Sequence, residues 1–159
     1  MKTKSLMLAS GATMAGVLTF SAPAVAAPPE PFTFELTIVE GARFGSCAFD
    51  VLVQATGKAK TITTPAGKVI GVSANTTATA TNLESHKSVQ YSVNGTFTNT
   101  TDSDGNVTTK ATGRNLLTDP DFGIVVTSGN FSFTFDENGN LIDGLSGTGK
   151  ITDVCAALS

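Results

Sequence analysis

The chain has 159 residues, only 14% of them charged, with 10 Lys and Arg against 13 Asp and Glu and a formal net charge of −3. Its basic residues are scattered, so the electrostatic footprint of a nucleic-acid or anionic-lipid binder is missing. Trp is absent and Tyr91 is the one tyrosine, which also argues against the aromatic platforms that present sugars or bases at a wet surface.

The first residues read as a processing signal. Lys2 and Lys4 form a basic start, an apolar stretch runs from Leu6 to Phe20, and Ala24-Val25-Ala26 is an A-x-A cleavage site. The apolar stretch is short and interrupted by Ser10, Gly11, Thr13 and Gly16, which fits a signal peptide over residues 1–26 better than a transmembrane anchor. Its short, Ala-rich character is bacterial. A secreted, extracellular protein is expected, with 133 of the 159 residues remaining and 8 basic against 13 acidic side chains. That length is one domain with room for a core.

Residues 27–31, with three prolines, form an extended lead-in, and residues 32–159 form a single all-β domain. Phe32, Phe34, Leu36 and Ile38 alternate along a first strand. A Gly-rich loop, 41–46, leads to Cys47, and Phe49, Val51 and Val53 mark the second strand. Cys47 and Cys155 are the only cysteines. In an exported protein they are expected to form a disulfide rather than two free thiols. With the lone His86 they do not make a metal-ligand set.

The rest of the chain is organised by a repeat. Phe131, Phe133 and Phe135 alternate with Ser132 and Thr134 and run into the turn residues Asp136-Glu-Asn-Gly139-Asn140. Thirty-four residues earlier, Gly95, Phe97, Asp102, Gly105, Asn106 and Gly113 stand at the offsets of Gly129, Phe131, Asp136, Gly139, Asn140 and Gly147. A weaker copy surrounds Thr64-Pro-Ala-Gly67-Lys68, with Gly57 and Asn75 in the flanking glycine places; Asn is the next best residue for positive φ. Each copy reads as a hairpin.

A three-residue turn with Gly last pairs Phe135 with Leu141, Phe131 with Leu145, Val125 with Ile151 and Gly129 with Gly147. The same rule pairs Phe97 with Ala111, Gly95 with Gly113 and Tyr91 with Leu117. Opposed glycines suit strands bent sharply to close a barrel. Asp143 falls opposite Phe133, so a bulge is expected at Asp143-Gly144.

The fold class is therefore all-β, an antiparallel meander barrel of 8–10 strands or, alternatively, a two-sheet β-sandwich. If Cys47 and Cys155 join, a plain eight-strand count brings Cys155 to the wrong end. An extra chain reversal is then expected near Asn75, or else at Gly147–Gly149.

Motifs for chemistry are sparse. Gly144 to Lys150 has phosphate-loop spacing, but Ile151 replaces the required Ser or Thr and no helix-length segment follows. The Asp102 and Asp136 segments have Gly in the fourth place, not the sixth, and no acid in the twelfth, so they are turns rather than calcium loops. His86 lies in a polar loop without a Gly-x-Ser-x-Gly elbow. No catalytic residue, metal or cofactor is assigned.

The Ala-rich signal, the Thr-rich β body and the closing Thr152-Asp-Val-Cys155-Ala-Ala-Leu resemble those of small secreted proteins of actinobacteria that carry no assigned function; the resemblance implies no activity. The residues favour a non-catalytic module that binds a small apolar ligand, or a cell-envelope component, with Phe97, Phe131, Phe133 and Phe135 in one interior. The alternative is a barrel enzyme using loop carboxylates with His86. Neither nucleic acid nor a transmembrane anchor is expected.

Overall fold

A computed structural model describes residues 27–159; the expected signal peptide, 1–26, lies outside the described residues. Eight antiparallel strands form one sheet. They are β1 (Glu30–Ile38), β2 (Val51–Thr63), β3 (Val69–Asn82), β4 (Ser88–Ser92), β5 (Gly95–Thr101), β6 (Val107–Asp119), β7 (Gly123–Phe135) and β8 (Leu141–Asp153), and a short helix α1 (Val154–Leu158) follows. β1 begins two residues ahead of the expected Phe32. Pro31 falls opposite Lys58 there, on an edge strand, where a residue without an N–H is tolerated.

Each strand pairs with the next, except that β4 and β5 both pair with β3. β4 lies along Thr77–Thr81 and β5 along Val69–Val72. The two short strands are therefore one pass of the chain, broken at Val93-Asn94. Among the described residues the sheet is not closed, because β1 pairs only with β2 and β8 only with β7.

The three expected hairpin turns share one hydrogen-bond pattern. Gly105 N–H donates to Asp102 O and Asp102 N–H to Asn106 O; Gly139 and Asp136, and Gly67 and Thr64, repeat both bonds. In the first two turns the aspartate Oδ1 also accepts from the backbone N–H two and four residues on. Thr64 Oγ1 does the same for Lys68 N–H at 3.1 Å. The weakest copy of the repeat is thus a genuine hairpin, and Asn75 takes the positive φ, 49°, expected of its glycine place.

Asn75 does not reverse the chain, however. β3 runs unbroken from Val69 to Asn82 and β8 from Leu141 to Asp153, which corrects the expected extra reversal. The positive φ is absorbed beside a bulge, where the β2–β3 register shifts between Thr56 and Lys58. Because β4 and β5 make a single pass, the chain crosses the sheet seven times. An odd count returns Cys155 to the end where β1 finishes, and Cys47 and Cys155 are joined there with their Cα atoms 5.3 Å apart.

The register of the second hairpin was foreseen as Phe97–Ala111 and Gly95–Gly113, and both pairs form. In the third, Phe135 faces Leu141, but Phe131 faces Gly147, Gly129 faces Gly149 and Val125 faces Asp153. The shift has a local cause. Two single-residue irregularities lie between Ser132 and Phe135, opposite the segment holding Asp143 and Gly144, so the bulge expected at that segment moves every later pair by two residues. Gly149, Gly129, Gly113 and Gly95 consequently form a continuous line across β8, β7, β6 and β5.

At this line the sheet bends and forks. β5 pairs with β6 only up to Gly113, and Tyr91 of β4 faces Ala78 of β3, not Leu117 as expected. Beyond Gly113, β6 follows β7 while β4 stays with β3, leaving two arms. Val51, Val53 and Ala80 from one arm pack on Ile124 and Val126 from the other, sealed by Val154 and Leu158 of α1. Strands that are not ladder neighbours share this core, so the single sheet is folded over itself. Val125 is buried as well; adjacent strand residues point to opposite faces, so this part of β7 is covered on both sides.

No helix is expected from the sequence after Lys150, yet the five-residue α1 forms there. Asp153 caps it, its Oδ1 accepting from Ala156 N–H at 2.9 Å. Val154 and Leu158 are fully buried, and the disulfide at Cys155 fixes the helix to the β1–β2 loop.

Candidate functional site

The strands that stay unpaired with each other, β1 and β8, leave an apolar cleft of about 370 Å³ between them. Phe34 and Leu36 of β1 form one wall, and they are large apolar side chains left 46% and 48% exposed. Phe133 and Phe135 at the end of β7 and Leu141 and Leu145 at the start of β8 form the facing wall. Leu116, Asp119 and Ile124 close the floor.

The facing wall reaches this position through the bend. Along the β6–β7–β8 ladders Asp119 stands roughly ten residues from Leu145, about 33 Å on straight strands. Yet Asp119 Oδ2 accepts from Leu145 N–H at 3.2 Å. The tips of β7 and β8 are folded back across the line of glycines. Gly129 and Gly147 allow it, with φ of 148° and 150°. A Cβ at either place would lie 2.2 Å from Thr148 O or 2.1 Å from Asn130 O.

Asp119 is 4% exposed. Its Oδ1 accepts from Asp121 N–H at 2.9 Å and Phe122 N–H at 3.2 Å, which orders the β6–β7 turn. The same carboxylate therefore holds a turn and the folded-back strand. The β1–β2 loop closes the mouth of the cleft. Phe44 packs edge-on against Phe135, ring centres 5.5 Å apart, and Phe135 does the same with Phe133 at 5.7 Å. Arg43 lies 5.2 Å over the Phe44 ring and donates to Asn140 Oδ1 in the β7–β8 turn.

A second cleft of about 190 Å³ shares Phe34 and Leu116 with the first and includes Phe97 and Asn115. The four phenylalanines named from the sequence are thus divided. Phe133 and Phe135 line the larger cleft and Phe97 the smaller. Phe131, 4% exposed, lines neither and packs inside the fold. The wall from β1, Phe44 and Asp119 carried no signal beyond strand alternation and a turn-forming sequence.

His86 is exposed in the turn after β3 with φ 60°. Asp102 and Asp136 spend their carboxylates on their own turns, and the Oδ2 of each accepts from the side chain of Asn106 or Asn140. These amides, then the backbone N–H of the same residues, hold both carboxyls below the ordinary value of 3.8; Arg43 adds to the effect at Asp136. Among the described residues no three His, Cys, Asp or Glu side chains are grouped to hold a metal. No helix among them is long and apolar enough to cross a membrane.

No protein-family model, curated protein or solved structure matches the chain.

Proposed function

We propose that the protein is a secreted, non-catalytic module, an incompletely closed barrel that binds a small apolar ligand in the cleft between β1 and the folded-back ends of β7 and β8. One observation carries the reading: two large apolar side chains of β1, Phe34 and Leu36, remain about half exposed opposite a phenylalanine cluster with about 370 Å³ between them. That volume lies within the ~300–1,000 Å³ usual for small-molecule sites. A protein with no use for the space gains by filling it, since packed interiors lose dispersion contacts at every void. The signal-peptide pattern and the disulfide support an oxidising, extracellular setting. A cell-envelope component is the natural source of an apolar ligand there.

Native mass spectrometry of protein taken from its own culture supernatant tests the reading. A mass beginning after residue 26, intact disulfide and a retained apolar molecule of low mass are expected. Protein that carries none, and that binds no member of a panel of alkyl compounds added afterwards, would refute it.

A further inference from the structure

The polar atoms of the two clefts indicate what kind of ligand they take. Among the described residues, neither cleft is lined by a lysine, an arginine or a histidine. Asp119 is the one charged side chain on the larger cleft. Its Oδ1 accepts two backbone N–H groups and its Oδ2 only that of Leu145, although a carboxylate offers about four acceptor positions. Asn115 lines the smaller cleft and is 2% exposed. Its Nδ2 donates to Thr112 O at 3.2 Å, while its Oδ1 is buried with no hydrogen-bond partner among the described residues. This oxygen lies beside Gly95, where a Cβ would stand 2.0 Å from it; a ligand in the cleft would reach it by rotation of the carboxamide about χ2, a broad torsion.

The unfilled polar positions are therefore acceptors, one in each cleft, and Phe34 and Leu116 line both spaces. We infer that these adjoining clefts select a neutral apolar molecule bearing a hydroxyl group, and discriminate against anionic amphiphiles such as fatty acids. This inference rests on the ligand-binding reading above. A hydroxyl brings the donor that a buried acceptor lacks, and an acceptor left unpaired away from water is costly. A carboxylate brings only further acceptors. It would also stand near the Asp119 carboxylate in a water-poor space, where repulsion is strong; the nearest cation, Arg43, lies at the mouth over the Phe44 ring and is engaged by Asn140.

The test compares decanol, decyl methyl ether and decanoate, which share an alkyl chain and differ in donor and charge. Binding to the disulfide-intact protein is measured at neutral pH by calorimetry. Decanol is expected to bind about tenfold more tightly than the ether, which has no donor, and decanoate most weakly of the three. Asn115→Leu is expected to shrink the decanol–ether ratio to about threefold or less while the ether still binds. Should that variant fail to fold, the ratios on the unaltered protein decide alone. Equal binding of decanol and the ether, or tighter binding of decanoate, overturns the inference and leaves the apolar-ligand reading standing. Failure of all three to bind overturns both.

Discussion

Asp119 and Leu145 are joined by a 3.2 Å hydrogen bond between a carboxylate and a backbone N–H, across about ten residues of ladder. Three backbone N–H groups depend on that one carboxylate, and the residue is buried. Hydrogen bonds to a charged acceptor contribute about 1.5–3 kcal/mol each, and orphaned buried donors cost more than the bond's net value. Asp119→Ala is therefore expected to destabilise the domain by about 3–5 kcal/mol in urea unfolding. Asp119→Asn retains an acceptor oxygen and should lose distinctly less. Equal losses for the two would show that the hydrogen bonds do not hold the fold-over.

What was legible in the sequence was local. Asp102-Ser-Asp-Gly105-Asn106 and its two relatives specify their turns through Asx-type and hydroxyl bonds made within five residues, so the hairpins and the nearby register could be read. The disulfide followed from the cysteine count and the export expected from the signal-peptide pattern. Phe133 and Phe135 were found by alternation, and the opposed glycines signalled a bend, yet their role as a wall depends on how far the strands fold back at Gly129 and Gly147, which the remote Asp119–Leu145 bond fixes. Asp119 could not be singled out from the sequence, because its third partner, Leu145, is remote. The merging of β4 and β5 was hidden for a similar reason. Asn94 Oδ1 accepts Thr76 N–H at 2.8 Å, so a side chain stands in the ladder where the backbone breaks.

The disulfide closes a sequence separation of 108 residues between the β1–β2 loop and α1. In the chain-entropy account such a loop contributes about 4–5 kcal/mol. The double variant Cys47→Ala with Cys155→Ala should lose about that much by denaturant unfolding. Non-reducing peptide mapping of the unaltered protein should recover one fragment joining both cysteines. Free thiols at both positions would contradict the Cys47–Cys155 bond.

Glycines at the bend and in the turns should respond differently to alanine. Gly139 has φ 75° and open space where a Cβ would go, so Gly139→Ala costs only the left-handed conformation, about 1–2 kcal/mol. Gly129 combines φ 148° with a backbone oxygen 2.2 Å from the Cβ position. Relief there must move β8 itself, and Gly129→Ala should cost at least about 3 kcal/mol or prevent folding. Similar losses in thermal melts would mean that the glycine line does not carry the bend.

Acid should weaken the two Asp-containing hairpins. Asp102 and Asp136 have their carboxyl pKa lowered from 3.8 by Asn106 and Asn140, so the folded state takes up these protons at lower pH than the unfolded chain does. Their contribution is present above 3.8 and lost as pH falls through the folded-state values. Thermal midpoints should fall on that side, and Asp136→Asn should flatten part of the fall while lowering stability near neutrality. Acid limbs of equal steepness in both proteins would exclude the turn carboxylate as a source.

Phe34 is the residue best placed to report on the cleft. It lines both spaces and is 46% exposed, so an indole at this position is expected to be accommodated without expelling a neighbour. The chain contains no tryptophan, and the Phe34→Trp variant therefore emits from one site. In the empty protein that indole meets water at the cleft mouth and should emit at the long-wavelength end of its range. An alkyl ligand seated against Phe133 and Phe135 replaces the water with hydrocarbon, and the emission should move to shorter wavelength and saturate with ligand concentration. Adding Phe133→Ala removes one face of the contact, worth about 1–2 kcal/mol for a partly buried ring, and should raise the half-saturating concentration about tenfold. An emission spectrum that ignores alkyl compounds which calorimetry shows to bind would place the ligand outside this cleft.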